Sequence, residues 1–283
     1  MGIETSDAAK LLAATLEERW DRFSEELKRV QRRASEPAIH DLRVATRRLI
    51  AVMITVNDML PVSGLRRCIR SLRMLLKALN DLRDVQVQIL TVRSMRGRFP
   101  VMDAYGSELR RRQVALIRRG RLEIKKIPQQ DLGKGVAKAS ESLFAFFGGQ
   151  GARRAAAGIL VGAAAAAFGK VLERRSGLVP ADPRSIHRMR VAFKRFRYTL
   201  ELARPLLPWA DRRHGRVMDA FQTRMGEIQD LEVLTANLRK FTLLRPRRAA
   251  SSFLPVFQYL SLLRRDKVDA FFRSVDDIQS LWC

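Results

Sequence analysis

Residues 39–49 read IHDLRVATRRL and residues 186–196 read IHRMRVAFKRF. Aligned 147 residues apart, Ile39, His40, Arg43, Val44, Ala45 and Arg48 fall on Ile186, His187, Arg190, Val191, Ala192 and Arg195, while Arg47 meets Lys194. Six identities in eleven positions, with two of the chain's three histidines among them, mark an internal repeat. A weaker echo follows one helix later, where LNDLRDVQV at 79–87 matches MGEIQDLEV at 225–233 at a separation of 146, with Asp81 over Glu227 and Asp84 over Asp230. The chain therefore reads as two copies of one four-helix unit, residues 1–147 and 148–283.

Outward from the repeat, apolar residues recur at spacings of three and four with no alternating pattern, so the fold class is all-α. The expected helices are 7–33, 37–60, 63–93, 101–126, 152–176, 183–206, 210–240 and 250–278. Pro61 with Ser63-Gly64, Pro100, Pro180 with Pro183, and Pro208 punctuate them, Asp182 is a capping candidate, and Pro205 kinks or ends its helix. The stretch 127–151, with Gly133, Gly135, Gly148, Gly149 and Gly151, reads as the boundary between halves, although Val136 to Phe147 has room for a short extra helix.

The 283 residues carry 54 Lys and Arg against 29 Asp and Glu, a formal charge of +25. With 47% hydrophobic residues the chain has enough apolar material for a core, so the basicity belongs to a folded protein and not to a disordered tail. Two cysteines, Cys68 and Cys283, supply neither a disulfide framework nor a zinc site, and a reducing, cytoplasmic compartment is expected. The N-terminus lacks the basic start of a signal peptide. The longest uncharged stretch, Ala155 to Gly169, is shorter than the roughly 18 residues of a spanning helix, so no membrane insertion is expected.

On a helix His40, Arg43 and Arg47 fall within about 60° of one another, as do His187, Arg190 and Lys194. Each cationic stripe adjoins the apolar arc of its helix, Ile39, Leu42, Leu49 and Met53 in one copy and Ile186, Met189, Phe196 and Leu200 in the other. Charges at the edge of a core must be matched by a counter-charge or a ligand. Arg66, Arg70, Arg73 and Lys77 form a second stripe on the next helix, whose mutual repulsion a bound polyanion would reverse. The second copy keeps Arg212, Arg216 and Arg224 there, with Asp219 between them. Arg110, Arg111, Arg112, Arg118, Arg119 and Arg121 are too dense for one face and are assigned to solvent.

These residues resemble the CHAD domain, a helical family named for its histidine motif. The paired His-x-x-Arg-Val-Ala-x-[RK]-Arg segments and the two following echoes carry the resemblance, which covers roughly residues 5 to 275. It implies two four-helix bundles around a basic central cavity that binds inorganic polyphosphate without catalysis. It also implies that His40, Arg43, Arg47 and Arg48 line that cavity together with His187, Arg190, Lys194, Arg195 and Arg197. Arg66, Arg70, Arg73, Lys77 and Arg216 are added from their stripes. Ile50 stands where the family has a basic residue, matched here by Arg197, and Asn80 replaces the glycine that Gly226 retains, so the first copy is expected to bind less charge. The Glu-x-Glu-x-Lys motif of the triphosphatase domain that some members carry is not found.

The other readings are plainer. His40 and His187 would serve as helix-start residues packed against a carbonyl, were they not repeated in register with arginines. Neither has a further ligand at metal spacing, and no metal or other cofactor is expected. Asp81, Asp84, Glu227 and Asp230 resemble an acid–base set but in so basic a chain are read as partners of arginines. His214 reads as a surface residue, and Trp20, Phe193, Phe196, Tyr198 and Trp209 as core. A phosphohydrolase or kinase would need a phosphate-cradling glycine loop, a metal cluster or an activated nucleophile, none of which is seen. Nonspecific nucleic-acid binding through the basic surface is the alternative to a polyphosphate-binding module placed on polyphosphate granules. Imidazole protonation below about pH 6.5 would strengthen polyphosphate binding on acidification.

Overall fold

The structure, a computed structural model, describes residues 8–147 and 150–282. The N-terminal start, Gly148 and Gly149 of the expected boundary, and Cys283 lie outside the described residues. The described chain is helical: α1 (Ala8–Arg32), α2 (Glu36–Met59), α3 (Leu65–Met95), α4 (Met102–Lys125), α5 (Gln129–Phe147), α6 (Gln150–Ser176), α7 (Pro183–Ala203), α8 (Arg212–Leu243), α9 (Arg247–Ser251) and α10 (Leu254–Ser274). A 3-10 turn at Arg204–Leu206 carries Pro205 and ends α7 as its fixed geometry requires, and another, Val275–Leu281, follows α10.

The two motif helices start alike. The Ser35 hydroxyl accepts from the Ala38 N–H at the head of α2, and the Asp182 carboxylate accepts from the Arg184 N–H at the head of α7. Each satisfies a backbone donor that the first turn leaves without a partner. Gly64, at φ 89°, makes the left-handed turn from α2 into α3, a conformation that a side chain would strain.

Neighbours in sequence pack in the same order on both sides: α1 on α2, α2 on α3 and α3 on α4, then α6 on α7, α7 on α8 and α8 on α10. Their apolar faces gather into three clusters. One joins α1, α2, the first half of α3, Ile124 of α4, α5, the start of α6 through Leu160, and Leu202 of α7. A second joins the rest of α6 with α7, the first half of α8, Phe271 and Ile278. The third takes Val85 and Val92 from α3, Tyr105 and Leu109 from α4, Leu231 and Leu238 from α8 and Val256 from α10. The longest helices, α3 with 31 residues and α8 with 32, each span about 47 Å and run from one of the first two clusters into the third. There Gln88 accepts from the Tyr105 hydroxyl at 2.6 Å and from Asn237 at 3.4 Å, tying α3 to α4 and α8. Midway along both helices, where α2 also meets α7, lies the ground between the clusters.

The segment expected to divide the halves is in fact mostly helix. Leu132, Val136, Ala139 and Leu143 of α5 are buried in the first cluster, and α5 packs on α1 and α3. Its glycines mark close approaches, not breaks: a Cβ at Gly133 would stand 3.2 Å from the Trp20 ring and one at Gly135 2.7 Å from the Cys68 sulfur. The Ala- and Gly-rich α6 contains a stretch, Ala156–Ser176, long and apolar enough to cross a membrane by length and composition, but Leu160, Ala164 and Val171 on it are core residues packed in the fold.

Candidate functional site

The repeated motif places its cations on facing helices. Arg43 and Arg47 on α2 come within electrostatic reach of Arg190 and Lys194 on α7, with Asp84 of α3 and Asp230 of α8 beside them. Residues from both copies thus gather in one basic cluster where α2, α3, α7 and α8 meet, the candidate cleft. Arg43 is only 6% exposed, and burial followed by repulsion from Arg47 disfavours its charge. Arg190 is opposed chiefly by burial, against which Asp230 supports its charge. Lys194 suffers most, since burial and then Arg190, Arg47 and Arg43 lower it to about 7. Asp84 and Asp230 keep open surface, yet desolvation beneath the arginines raises both, with Arg43 and Arg190 respectively opposing the rise. Burial and mutual repulsion thus disfavour the charge of Arg43, Arg190 and Lys194, and an added anion would favour it.

The hydrogen bonds divide the cluster unequally. Arg43 donates to Asn80 Oδ1 at 2.8 Å and to the Leu76 carbonyl at 3.3 Å. Arg190 lies over Gly226, where a Cβ would stand 3.9 Å from its Nη2, and its Nε is buried with no partner. His187 Nδ1 meets Gln229 Oε1 at 2.7 Å, whereas burial and then Arg83 hold His40 below the usual histidine range. The acid sensitivity expected of His40 therefore moves to lower pH, and Lys194 is the cation brought nearest neutrality.

The remaining expected residues fall into two groups. Arg48 and Arg197 both pair with Glu201, at 3.1 Å and 3.4 Å, and Arg197 also pairs with Asp219 at 2.6 Å, so their charge is already matched. Arg66, Arg70, Arg73, Lys77, Arg195 and Arg216 are exposed and stand outside the ion pairs among the described residues. On α3 the spacing 66, 70, 73, 77, 80, 84 keeps one face, so the stripe is a ladder leading from the cleft at Asn80 and Asp84 toward the start of α3. The arginines from 110 to 121 are exposed, as expected.

Several partners were not anticipated. Tyr198, read as core, lies within electrostatic reach of Arg43 and Arg190, and the spacing 187, 190, 194, 198 places it on the same stripe. Arg83 occupies the position matched by Gln229 in the second copy and pairs with Glu36 at 2.9 Å. Glu227 pairs with Lys267 at 2.8 Å, not with an arginine. His214 is no free surface residue: its Nε2 bonds the Leu281 carbonyl at 3.0 Å and its ring abuts Trp209, fastening the C-terminal turn. Phe193 and Phe196 are fully buried and Trp20 and Trp209 partly so. Among the described residues no group of three or more His, Cys, Asp or Glu side chains could hold a metal ion. A separate cavity of about 280 Å³, lined by Glu232, Arg239, Phe257 and Arg264, lies between α8 and α10.

A family model described as the CHAD domain matches residues 14–239. Among solved structures, the crystal structure of the CHAD domain from the plant Ricinus communis is similar with a TM-score of 0.74 and 19% identity, over 94% of this chain and 90% of that one. The structure of PptA from Streptomyces chartreusis is similar with a TM-score of 0.58 and 15% identity, over 97% and 98%. Comparison with curated proteins finds no match. At such identities the structural likenesses speak for the all-α fold, while the family-model match takes in both copies of the histidine motif. On that match the chain belongs to the CHAD domain family.

Proposed function

We propose that the protein binds inorganic polyphosphate in the cleft between α2, α3, α7 and α8, without catalysis, and that this binding places it on polyphosphate granules in the cytoplasm. The observation that carries the reading is the convergence of Arg43, Arg47, Arg190 and Lys194 from both copies of the motif, with burial and mutual repulsion depressing Lys194 to about 7. Arginine offers a planar fork of donors to phosphate oxygens and lysine a point charge. A linear polyanion with about one charge per phosphate is thin enough to follow the cleft and continue along the Arg66–Lys77 ladder. Among the described residues Tyr198 stands on the stripe without a ladder of further aromatic rings for bases to stack on, which favours polyphosphate over single-stranded nucleic acid.

The test is a titration of the protein with long-chain polyphosphate and with single-stranded DNA at several salt concentrations, for wild type and for Arg43→Glu/Arg190→Glu. Polyphosphate binding should win at near-physiological salt and be lost in the folded variant. Equal binding of both polyanions, unchanged in the variant, would assign the activity to the basic surface instead.

A further inference from the structure

The far end of the molecule, where α8 turns into α9 and α10, combines two features that the basic cleft does not use. Leu243 and Leu244 are 82% and 89% exposed, the highest values for large apolar side chains among the described residues, and Leu254 at the head of α10 is 59% exposed. The backbone holds them outward. Thr242 and Phe253 on either side are buried, and the Thr242 carbonyl accepts from the N–H groups of Leu244 and Arg245. Fixed, protruding leucines are not what a solvated helix end requires.

Along the chain the surroundings are cationic, while in the adjoining α3–α4 turn Asp103 pairs with Arg96. Between Glu232 and Asp266 the sequence contains no carboxylate, and Arg239, Lys240, Arg245, Arg247 and Arg248 are all exposed. Arg245 lies over the Phe241 ring at 4.1 Å, keeping its stem against the apolar base of the turn. The α3–α4 turn is fastened to the same end, with Phe99 and Tyr259 5.3 Å apart and Arg98 above the Tyr259 ring at 4.5 Å.

A soluble polyanion would be served by the arginines and would gain nothing from the leucines. An acidic bilayer surface meets both, because its phosphates lie at the level of the guanidinium groups while its acyl boundary accepts short apolar side chains. We propose that this end of the protein is a peripheral binding site for anionic phospholipid bilayers, in which Leu243 and Leu244 enter the interfacial layer and the surrounding arginines pair with lipid phosphates. The contact is interfacial and needs no spanning helix. It uses none of the cleft residues, so it stands or falls independently of polyphosphate binding.

The experiment is sedimentation of the whole protein with vesicles of phosphatidylcholine alone or with about a third phosphatidylserine, near 0.1 M salt. Wild type should sediment with the acidic vesicles only. Leu243→Ser/Leu244→Ser should weaken that binding about tenfold, and Arg247→Glu/Arg248→Glu should do so by more, since each basic residue near such a surface contributes roughly fivefold. All these side chains are exposed, and circular dichroism checks that the variants remain folded. Leu244→Trp provides a direct probe whose emission should shift to the blue on acidic vesicles and stay unchanged with soluble polyphosphate. Absence of vesicle binding, binding unaffected by the serine pair, or a blue shift with polyphosphate alone would each overturn the proposal.

Discussion

Arg43 and Arg190 occupy the same place in two copies of one motif, yet they are held differently. Arg43 is fixed by Asn80 and the Leu76 carbonyl. Arg190, above Gly226, has its Nε buried and unsatisfied. The histidines differ in parallel, His187 bonded to Gln229 and His40 opposed by Arg83. A repeated sequence therefore yields unequal halves, because the neighbouring helix supplies different partners at the matched positions 80 and 226, and 83 and 229. Arg43 uses its guanidinium donors internally, whereas the Arg190 Nε has no partner to receive it.

The largest effect expected of this asymmetry lies in a trade between binding and stability. Arg190→Met should weaken polyphosphate binding tenfold or more and yet raise resistance to urea by about 1 kcal/mol, because it removes a buried donor without a partner and relieves Lys194 and Arg47. Arg43→Met breaks two hydrogen bonds and should gain no stability, with a smaller loss of affinity. Equal behaviour of the two variants in both measurements would erase the distinction between the halves.

Acidity offers the next lever. Lys194 faces Arg190, Arg47 and Arg43 with Asp230 opposing them, and stands at about 7 against an ordinary value of 10.5. Between those values the unfolded chain holds the extra proton, so without ligand the stability should rise as pH climbs from about 7 and level off near 10.5. Polyphosphate favours the charged amine. Its affinity should therefore be greatest below pH 7 and fall up to about tenfold per pH unit above it, with proton uptake on binding measurable by calorimetry in buffers of different ionisation heat. Lys194→Met should remove this dependence. His40, already held low by burial and Arg83, contributes only at more acid pH.

Exchanging the supports beneath the two arginines sharpens the comparison. Gly226→Asn would offer Arg190 an acceptor in space that a Cβ can enter at 3.9 Å, and should weaken polyphosphate binding about threefold by committing the guanidinium. Asn80→Gly would release Arg43 and should strengthen binding by a similar factor, at about half a kcal/mol of helix stability. Matching dissociation constants for wild type and both variants would show that ligand binding ignores these contacts.

What the sequence made legible follows from this inequality. Period and punctuation located α1–α4 and α6–α8 to within a few residues, because each buries one continuous apolar stripe. Pattern matching brought His40, Arg43 and Arg47 into correspondence with His187, Arg190 and Lys194. Of helix α5 the sequence showed room only for Val136 to Phe147, its start being hidden by Gly133 and Gly135, which read as breaks but stand close against Trp20 and Cys68. The third apolar cluster escaped because periodicity reveals an apolar face and not the helix it meets. Within the cleft, the motif located the cations but not which were already matched, since Glu201 stands on α7 with no carboxylate counterpart in the first copy, where Ile54 takes its place.

That carboxylate supports the smallest prediction. Glu201 receives Arg48 from α2 and Arg197 from its own helix, so one negative charge cancels part of two positive ones at the edge of the cleft. Glu201→Gln keeps the shape and a hydrogen-bond acceptor but removes the charge. It should free Arg48 for the ligand while Asp219 continues to hold Arg197. Both pairs are partly exposed, and ion pairs in that setting contribute little to stability, so the unfolding midpoint should hardly move. The gain should appear in polyphosphate affinity, about twofold, and in its salt dependence, which steepens by at most one counterion. An unchanged slope together with unchanged affinity would place Arg48 outside the path of the ligand and confine binding to the inner four cations.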